Sequence, residues 1–233
     1  MKSMSSVDSV AIIPARKGSK RIPNKNRLSI GGSSLLQRTV ESIRDSGAIA
    51  RTILTTDDEK LVESAERYPL LKCDRRPVDL AQDQSSTEDV IRYVIKENNL
   101  EENTIVLLQL TSPFRTGADI KDLLRKMENM GTHSGVSVCR WRAPPSPPFG
   151  TTDAQGSLGM RHQEHETAMR QHHDTAWAVN GAIYIFSAKS FLETGKLYDE
   201  GAAIHVMGGW RSLDLDYEDD VLVADAIASY YEV

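Results

Sequence analysis

With 233 residues, the chain is long enough to bury a full core as one domain of ordinary to large size. Hydrophobic residues make up 39% and no apolar run approaches the roughly 20 residues a membrane helix needs, which excludes a helical membrane protein. The formal net charge of -5 argues against a general nucleic-acid binder, whose surface is usually basic.

The cysteines, Cys73 and Cys139, lie far apart in sequence, so they fit reduced thiols better than a disulfide framework. Residues 1–8 are polar and lack the apolar centre of a signal peptide. They are expected to be a disordered lead-in, and the protein is expected in the cytoplasm.

Ser9 to Ala15 is a continuous apolar run, as in a strand covered on both faces, and is expected to be central in a parallel sheet. It runs into a loop from Arg16 to Arg27 that carries Arg16, Lys17, Lys20, Arg21, Lys25 and Arg27 and no acidic residue. Positive charge concentrated against the global balance calls for an anion, and Gly18, Ser19 and Asn24 let backbone N–H groups come close to one. Arg16 and Lys25 are the candidates for a polyphosphate, one a planar fork of donors and the other a mobile point charge. A merely solvated loop, or one that touches RNA non-specifically, is the alternative; position after the first buried strand favours the ligand. The order Gly-x4-Gly-Lys-Ser/Thr is absent, and no Gly-x-Gly-x-x-Gly follows the strand.

Ser33 and Ser34 can cap a helix with Leu35, Leu36, Thr39, Val40 and Ile43 at helical spacing and Gly47 as its stop. Arg51 to Thr56 reads as a strand, followed by a helix through Glu66 whose first turn holds Asp57, Asp58 and Glu59. A weak strand near Leu71 to Asp74 precedes a loop with Arg75, Arg76 and Pro77. Ser86 and Asp89 then form a capping-box signal for a helix bearing Val90, Ile91, Val94 and Ile95.

Thr104 to Leu110 is expected to be a buried strand that ends in the loop Gln109 to Arg115, where ligands of α/β sheets collect and Gln109 can read polar ligand edges. Thr116 and Asp119 cap the next helix, Gly131 stops it, and Gly135 to Cys139 is a further strand. Composition then changes. The prolines from Ala143 to Pro148 and the polar stretch to Thr175 read as an inserted arm, residues 141–175. Regular pattern returns with a strand at Asn180 to Phe186, a short helix from Ser187, a strand near Ala203 to Met207 and a helix from Glu218 to about Tyr230. Alternating strands and helices imply an α/β fold, a doubly wound, mostly parallel sheet in three layers.

Late in the chain stands Asp214-Leu215-Asp216. In an extended segment, both carboxylates face one side, which suits a hard cation such as Mg²⁺ completed by phosphate oxygens and water. Glu218, Asp219 and Asp220 are assigned to helix capping instead.

Ile13-Pro14-Ala15-Arg16 through Ser19-Lys20 to Ile22-Pro23-Asn24-Lys25-Asn26 resembles the first motif of the acylneuraminate cytidylyltransferases, the CMP-nonulosonate synthetases. The likeness continues in order through Arg76-Pro77, Leu80-Ala81 and Asp83, Leu107-Leu108-Gln109 with Thr111-Ser112-Pro113, Asn180-Gly181-Ala182-Ile183-Tyr184, and Asp214-Leu215-Asp216. It implies a Rossmann-like nucleotidyltransferase that moves CMP from CTP to the anomeric hydroxyl of a nonulosonic acid. It further implies Arg16 and Lys25 on the triphosphate, with Ser19, Asn26 and Arg76 as further CTP contacts. Asp214 and Asp216 would hold Mg²⁺, and Arg16, Lys25 and Asp214 would serve the chemistry. Gln109 would meet the sugar, with Asn180 and Tyr184 beside it, and the arm would reach across a homodimer.

Departures fall on the sugar side. Ala178-Val179 precedes Asn180 where many relatives carry an Arg, prolines follow Arg140 where many carry a Lys, and Leu110 and Phe114 replace a Pro and a Leu. A sugar carboxylate would then need another cation, such as Arg140, Arg142 or Arg161. A Kdo-like octulosonate as acceptor and a catalytically silent regulator are the alternative readings. His162, His165, His172 and His173 are taken as surface or interface histidines.

Overall fold

The computed structural model describes residues 9–82, 84–140, 149–152, 158–160 and 176–233. The lead-in, Asp83, Arg142, Arg161, the four arm histidines and most of the arm lie outside them.

The chain opens with β1 (Ser9–Ala15), two short strands β2 (Ser29–Ile30) and β3 (Ser33–Ser34), then α1 (Leu35–Ser46), β4 (Arg51–Thr56), α2 (Glu59–Ala65) and β5 (Leu71–Arg75). It continues with α3 (Thr87–Glu97), β6 (Thr104–Leu107), α4 (Gly117–Met130) and β7 (Ser134–Arg140). In the arm, β8 (Phe149–Thr152) and β9 (Leu158–Met160) pair antiparallel in a sheet of their own. The chain ends with β10 (Trp177–Ser187), α5 (Ala188–Thr194), β11 (Ala203–Val206) and α6 (Glu218–Tyr231).

The main sheet has seven strands in the order β11-β7-β10-β6-β1-β4-β5. β1 pairs parallel with β4 and β6, β4 with β5, and β11 with β7, while β10 runs antiparallel to both β6 and β7. The sheet is thus mostly parallel, with β1 inside it. Alternation along β1 decides both faces. Ala11, Ile13 and Ala15 join the core with Leu35, Leu36, Ile43, Ile120, Leu123 and Ala224, whereas Val10 and Ile12 join the one with Ile91, Val94, Ile95 and Phe191. One face therefore takes α1, α4 and α6 and the other α3 and α5, which makes the sheet doubly wound.

The caps read from sequence act as caps. Ser34, Ser86 and Thr116 each accept a backbone N–H of the first turn, and Gly47 and Gly131 close α1 and α4 in the left-handed region. The expected strand from Thr104 to Leu110 is shorter, ending at Leu107. Leu108 N–H still donates to Ile12 C=O at 3.0 Å, after which the backbone turns away to build the loop.

Gly117 opens α4 where that helix crosses the end of α1. A Cβ there would meet the backbone of Ser46, Asp45 and Ser42, 2.8 Å from the Ser42 carbonyl oxygen. Backbone cannot step aside as a flexible side chain can, so Gly117→Ala is expected to destabilise the fold by about 1–3 kcal/mol, as overpacking does. Urea unfolding of both proteins measures it.

Candidate active site

A chain that passes from β1 outward to β4 and β5 and then back to β6 reverses its winding between β1 and β6. At the carboxyl ends of these strands the connections diverge and leave a crevice, the usual ligand position in open α/β sheets. A cleft of about 250 Å³ lies there, lined by Pro14, Arg16, Lys25, Asn26, Arg76, Gln109 and neighbours including Thr87 and Thr111. The structure thus brings together Arg16, Lys25, Asn26, Arg76 and Gln109 from three separate stretches of sequence. Ser19, Asn180, Tyr184, Asp214 and Asp216 do not line this cleft.

The cationic loop is held in shape by the chain beyond β4. Asp58, buried at the start of α2, accepts both Nε (2.6 Å) and Nη2 (2.8 Å) of Arg27 and also caps Lys60 N–H. Lys17 N–H donates to Asp57 at 2.7 Å, and the Asn26 amide donates to Arg16 C=O at 2.9 Å. Asn24 adopts φ 57°, ψ 28°, a left-handed conformation that Asn tolerates better than most residues. These ties fix the backbone around Lys25.

Arg76 is buried in the cleft wall. It donates Nη2 to Thr55 C=O at 3.1 Å, while its Nε has no hydrogen-bond partner. Burial lowers its pKa, Asp57 opposes that, and Arg16 adds to the lowering. A guanidinium with a spare buried donor, close to a second cation, favours a negative ligand.

Across the cleft, Arg115 is fully buried and donates to Gln109 C=O (3.1 Å), Ala182 C=O (2.8 Å) and Thr39 Oγ1 (2.9 Å). Burial lowers its pKa to about 10, and the Asp119 charge works against that. It anchors the backbone of Gln109 from behind. Its signal in the sequence is an Arg placed directly before the Thr116 helix cap.

The Asp-x-Asp pair approaches from the C-terminal side. Leu215 is fully buried, its N–H donates to Thr111 C=O at 2.9 Å, and the flanking aspartates take the other side, as the alternation requires. Burial raises the pKa of Asp214; a hydrogen bond from Thr111 opposes it, Asp216 adds to it, and Lys25 opposes it again. Asp214 Oδ1 is buried without a hydrogen-bond partner. Asp216 Oδ1 lies 3.2 Å from Lys25 Nζ and 3.3 Å from Arg21 Nη1.

Asp214 and Asp216 are accordingly the residues that could hold a divalent cation: an orphaned buried carboxylate oxygen is an open acceptor. No cluster of three or more metal-ligating side chains occurs among the described residues. Two carboxylates leave most of a coordination sphere to phosphate and water, as Mg²⁺ prefers.

Two residues assigned to the sugar behave differently from each other. Tyr184 stacks on Tyr198 with ring centroids 6.2 Å apart; burial raises its pKa, and the charges of Tyr198, Asp214 and Glu88 add to the rise. It is close enough to Asp214 to feel that residue's charge. Asn180 does not present its amide to a ligand. Its Oδ1 accepts Ser137 Oγ (2.6 Å) and Ala182 N–H (3.2 Å), and its Nδ2 donates to Ser212 Oγ (2.9 Å). It bridges the irregularity of β10 between Val179 and Tyr184, so the motif's Asn works as an internal brace.

The family model for cytidylyltransferase matches residues 10–188. The chain belongs to the cytidylyltransferase family. This cytidylyltransferase is 30% identical over 197 residues to the CMP-N,N'-diacetyllegionaminic acid synthase of Legionella pneumophila, a match covering 82% of the chain and 83% of the relative. It is 29% identical to an N-acylneuraminate cytidylyltransferase of Escherichia coli over 94% of the chain, but spans only about half, 51%, of that relative's length. A solved CMP:2-keto-3-deoxy-manno-octonic acid synthetase complexed with CTP superposes with a TM-score of 0.68 at 17% identity, covering 96% of this chain and 99% of that one, which shows the shared fold.

Removing the Arg27 side chain would leave buried Asp58 without its charged partner. Arg27→Ala is expected to cost roughly 1.5–3 kcal/mol, the range for hydrogen bonds to charged groups. Chemical denaturation checks it, and raised mobility of Lys25 in amide hydrogen exchange is the expected companion.

Proposed function

We propose that the protein transfers CMP from CTP to the anomeric hydroxyl of a sialic-acid-like nonulosonic acid, of neuraminic, legionaminic or pseudaminic type, and releases pyrophosphate. The observation that carries this reading is the meeting of Arg16, Lys25 and Arg76 around one cleft at the switch point of the sheet, with Asp216 of the Asp-x-Asp pair 3.2 Å from the Lys25 that lines it. The names of the relatives supply the acceptor class.

In this reading Arg16 and Lys25 bind the triphosphate, with Asn26 and Arg76 as nearer wall and Ser19 contributing from the loop. The sugar's anomeric oxygen attacks the α-phosphorus as its proton leaves, and the bond from that phosphorus to the bridging oxygen of pyrophosphate breaks. Arg16 stabilises charge that grows on the phosphoryl oxygens. Gln109, held through its backbone by Arg115, orients the acceptor. Asp214 and Asp216 hold Mg²⁺, which when bound neutralises phosphate oxygens. The enzyme is read as a cytoplasmic homodimer; what the structure itself offers is that no helix among the described residues is long and apolar enough to cross a membrane.

A Kdo-like octulosonate is the second reading, kept open by Ala178-Val179 ahead of Asn180, where the sugar side departs from many nonulosonate relatives. Incubating the protein with CTP, Mg²⁺ and a series of nonulosonic and octulosonic acids, and following pyrophosphate, separates the two; silence with all of them would favour a binding protein. Asp216→Asn is expected to lower turnover at least about a hundredfold with unchanged melting temperature, and turnover near the parent rate would remove the metal assignment. Lys25→Ala is expected to raise the KM for CTP roughly 10–100-fold, the loss of one charged hydrogen bond, measured by initial rates at saturating sugar.

A further inference from the structure

The segment that carries Asp214 and Asp216 has no regular structure of its own between the single turn Trp210–Ser212 and α6. Its place must be set by ties to the rest of the fold. Leu215 is tied to Thr111, and Ser212 to Asn180. Asp216 also meets Lys25 and Arg21, and a further tie comes from α4. Asp119, only 3% exposed, forms the capping box of that helix, its Oδ2 accepting Thr116 N–H at 2.8 Å. A capping residue usually stops there.

Asp119 goes further. Arg211 lays its planar fork on the same carboxylate, with Nη1 at 3.0 Å from Oδ2 and Nη2 at 2.5 Å from Oδ1. His205 Nε2, from β11, lies 2.8 Å from Oδ1. Burial alone would raise the Asp119 pKa, but hydrogen bonds from His205, Thr116 and Arg211 outweigh it and hold the carboxyl well below the usual range. The carboxylate is therefore charged at neutral pH, and its grip on Arg211 is permanent.

Arg211 and Ser212 are thus held by α4 and by β10 respectively, three and two residues before Asp214. We propose that Asp119 is a positioning residue of the transferase: through the Arg211 fork it sets where Asp214 and Asp216 stand, and so how tightly the cleft holds a metal–nucleotide complex. The proposal rests on the assignment of those two aspartates to a metal. Groups that orient metal ligands from behind typically change metal affinity 10–100-fold when removed.

The test compares CTP affinity in EDTA with CTP affinity in Mn²⁺, by calorimetry; the ratio of the two dissociation constants measures how strongly metal and nucleotide are coupled on the protein. Arg211→Met leaves the capping box and the His205 contact in place, and Asp119→Asn keeps the side-chain shape but puts a donor against the fork. Each is expected to lower the ratio about tenfold while CTP affinity in EDTA stays within about twofold of the parent, and Arg211→Lys is expected to recover part of the loss. A ratio unchanged in Arg211→Met or Asp119→Asn, whatever the melting temperature does, would overturn the proposal; should neither variant fold, Arg211→Lys decides by the same ratio. A parent protein whose CTP affinity is the same in EDTA and Mn²⁺, or an Asp216→Asn variant that keeps the parent ratio, would instead remove the metal reading on which the proposal stands.

Discussion

Everything at the cleft depends on the parting of β1 and β6 after the Ile12–Leu107 pair. Parallel strands cannot be joined by a short turn, so the chain leaves β1 on one side, returns to β6 on the other, and has two loops to place at a common edge. One of these loops is rich in cations and the other brings Gln109 and Thr111. Neither loop is stiff by composition. Each is held by a buried charge from a neighbouring element: Asp58 grips Arg27 on the cationic side, and Arg115 grips the Gln109 carbonyl on the other. The site is preorganised by these two charges, both sunk below the surface that the ligand meets.

The distribution of charge across the cleft also explains why cations can gather on one loop without unfolding it. Lys25 and Arg21 lie against Asp216, and Arg76 is next to Asp57. In a partly buried setting such opposed charges attract by several times what they would in water, whereas like charges left alone would repel comparably. One of the carboxylates that balance the loop, Asp216, is also assigned to a cation. On the proposed function, a triphosphate therefore enters a site where positive and negative groups already alternate, and gains its hold on the lysine by competing with Asp216.

Features set by local chemistry were readable in the sequence. The buried run of β1, the caps at Ser34, Ser86 and Thr116, and the left-handed stops at Gly47 and Gly131 follow from neighbours a few residues away, and the structure has all of them. Motif order brought Arg16, Lys25, Asn26, Arg76 and Gln109 to one cleft. What escaped were groups whose meaning depends on distant partners. Thr104 to Leu110 is apolar enough for one long strand, yet the need to leave β1 ends it at Leu107. Asn180 sits in a motif with site residues, but its amide closes a gap in β10. Asp119 shows a capping box four residues wide; that Arg211, 92 residues on, and His205, 86 residues on, share its carboxylate cannot be seen in any local window.

Those distant ties fall into a pattern. Asn180, Ser212, Arg211 and Asp119 form a connected path from the antiparallel strand β10, through the single turn at Trp210–Ser212, to the start of α4. The path crosses behind the Asp-x-Asp segment and joins the part of the sheet that includes β7, β10 and β11. The cleft residues proposed for the nucleotide, by contrast, follow β1 and β5. Of the departures from the resembling family, Leu110 and Phe114 lie on the loop after β6 and Ala178-Val179 lies in β10 beside Asn180. On the proposed function, acceptor choice changes through these positions while Asn180, bonded to Ser212 two residues before Asp214, ties β10 to the aspartate segment.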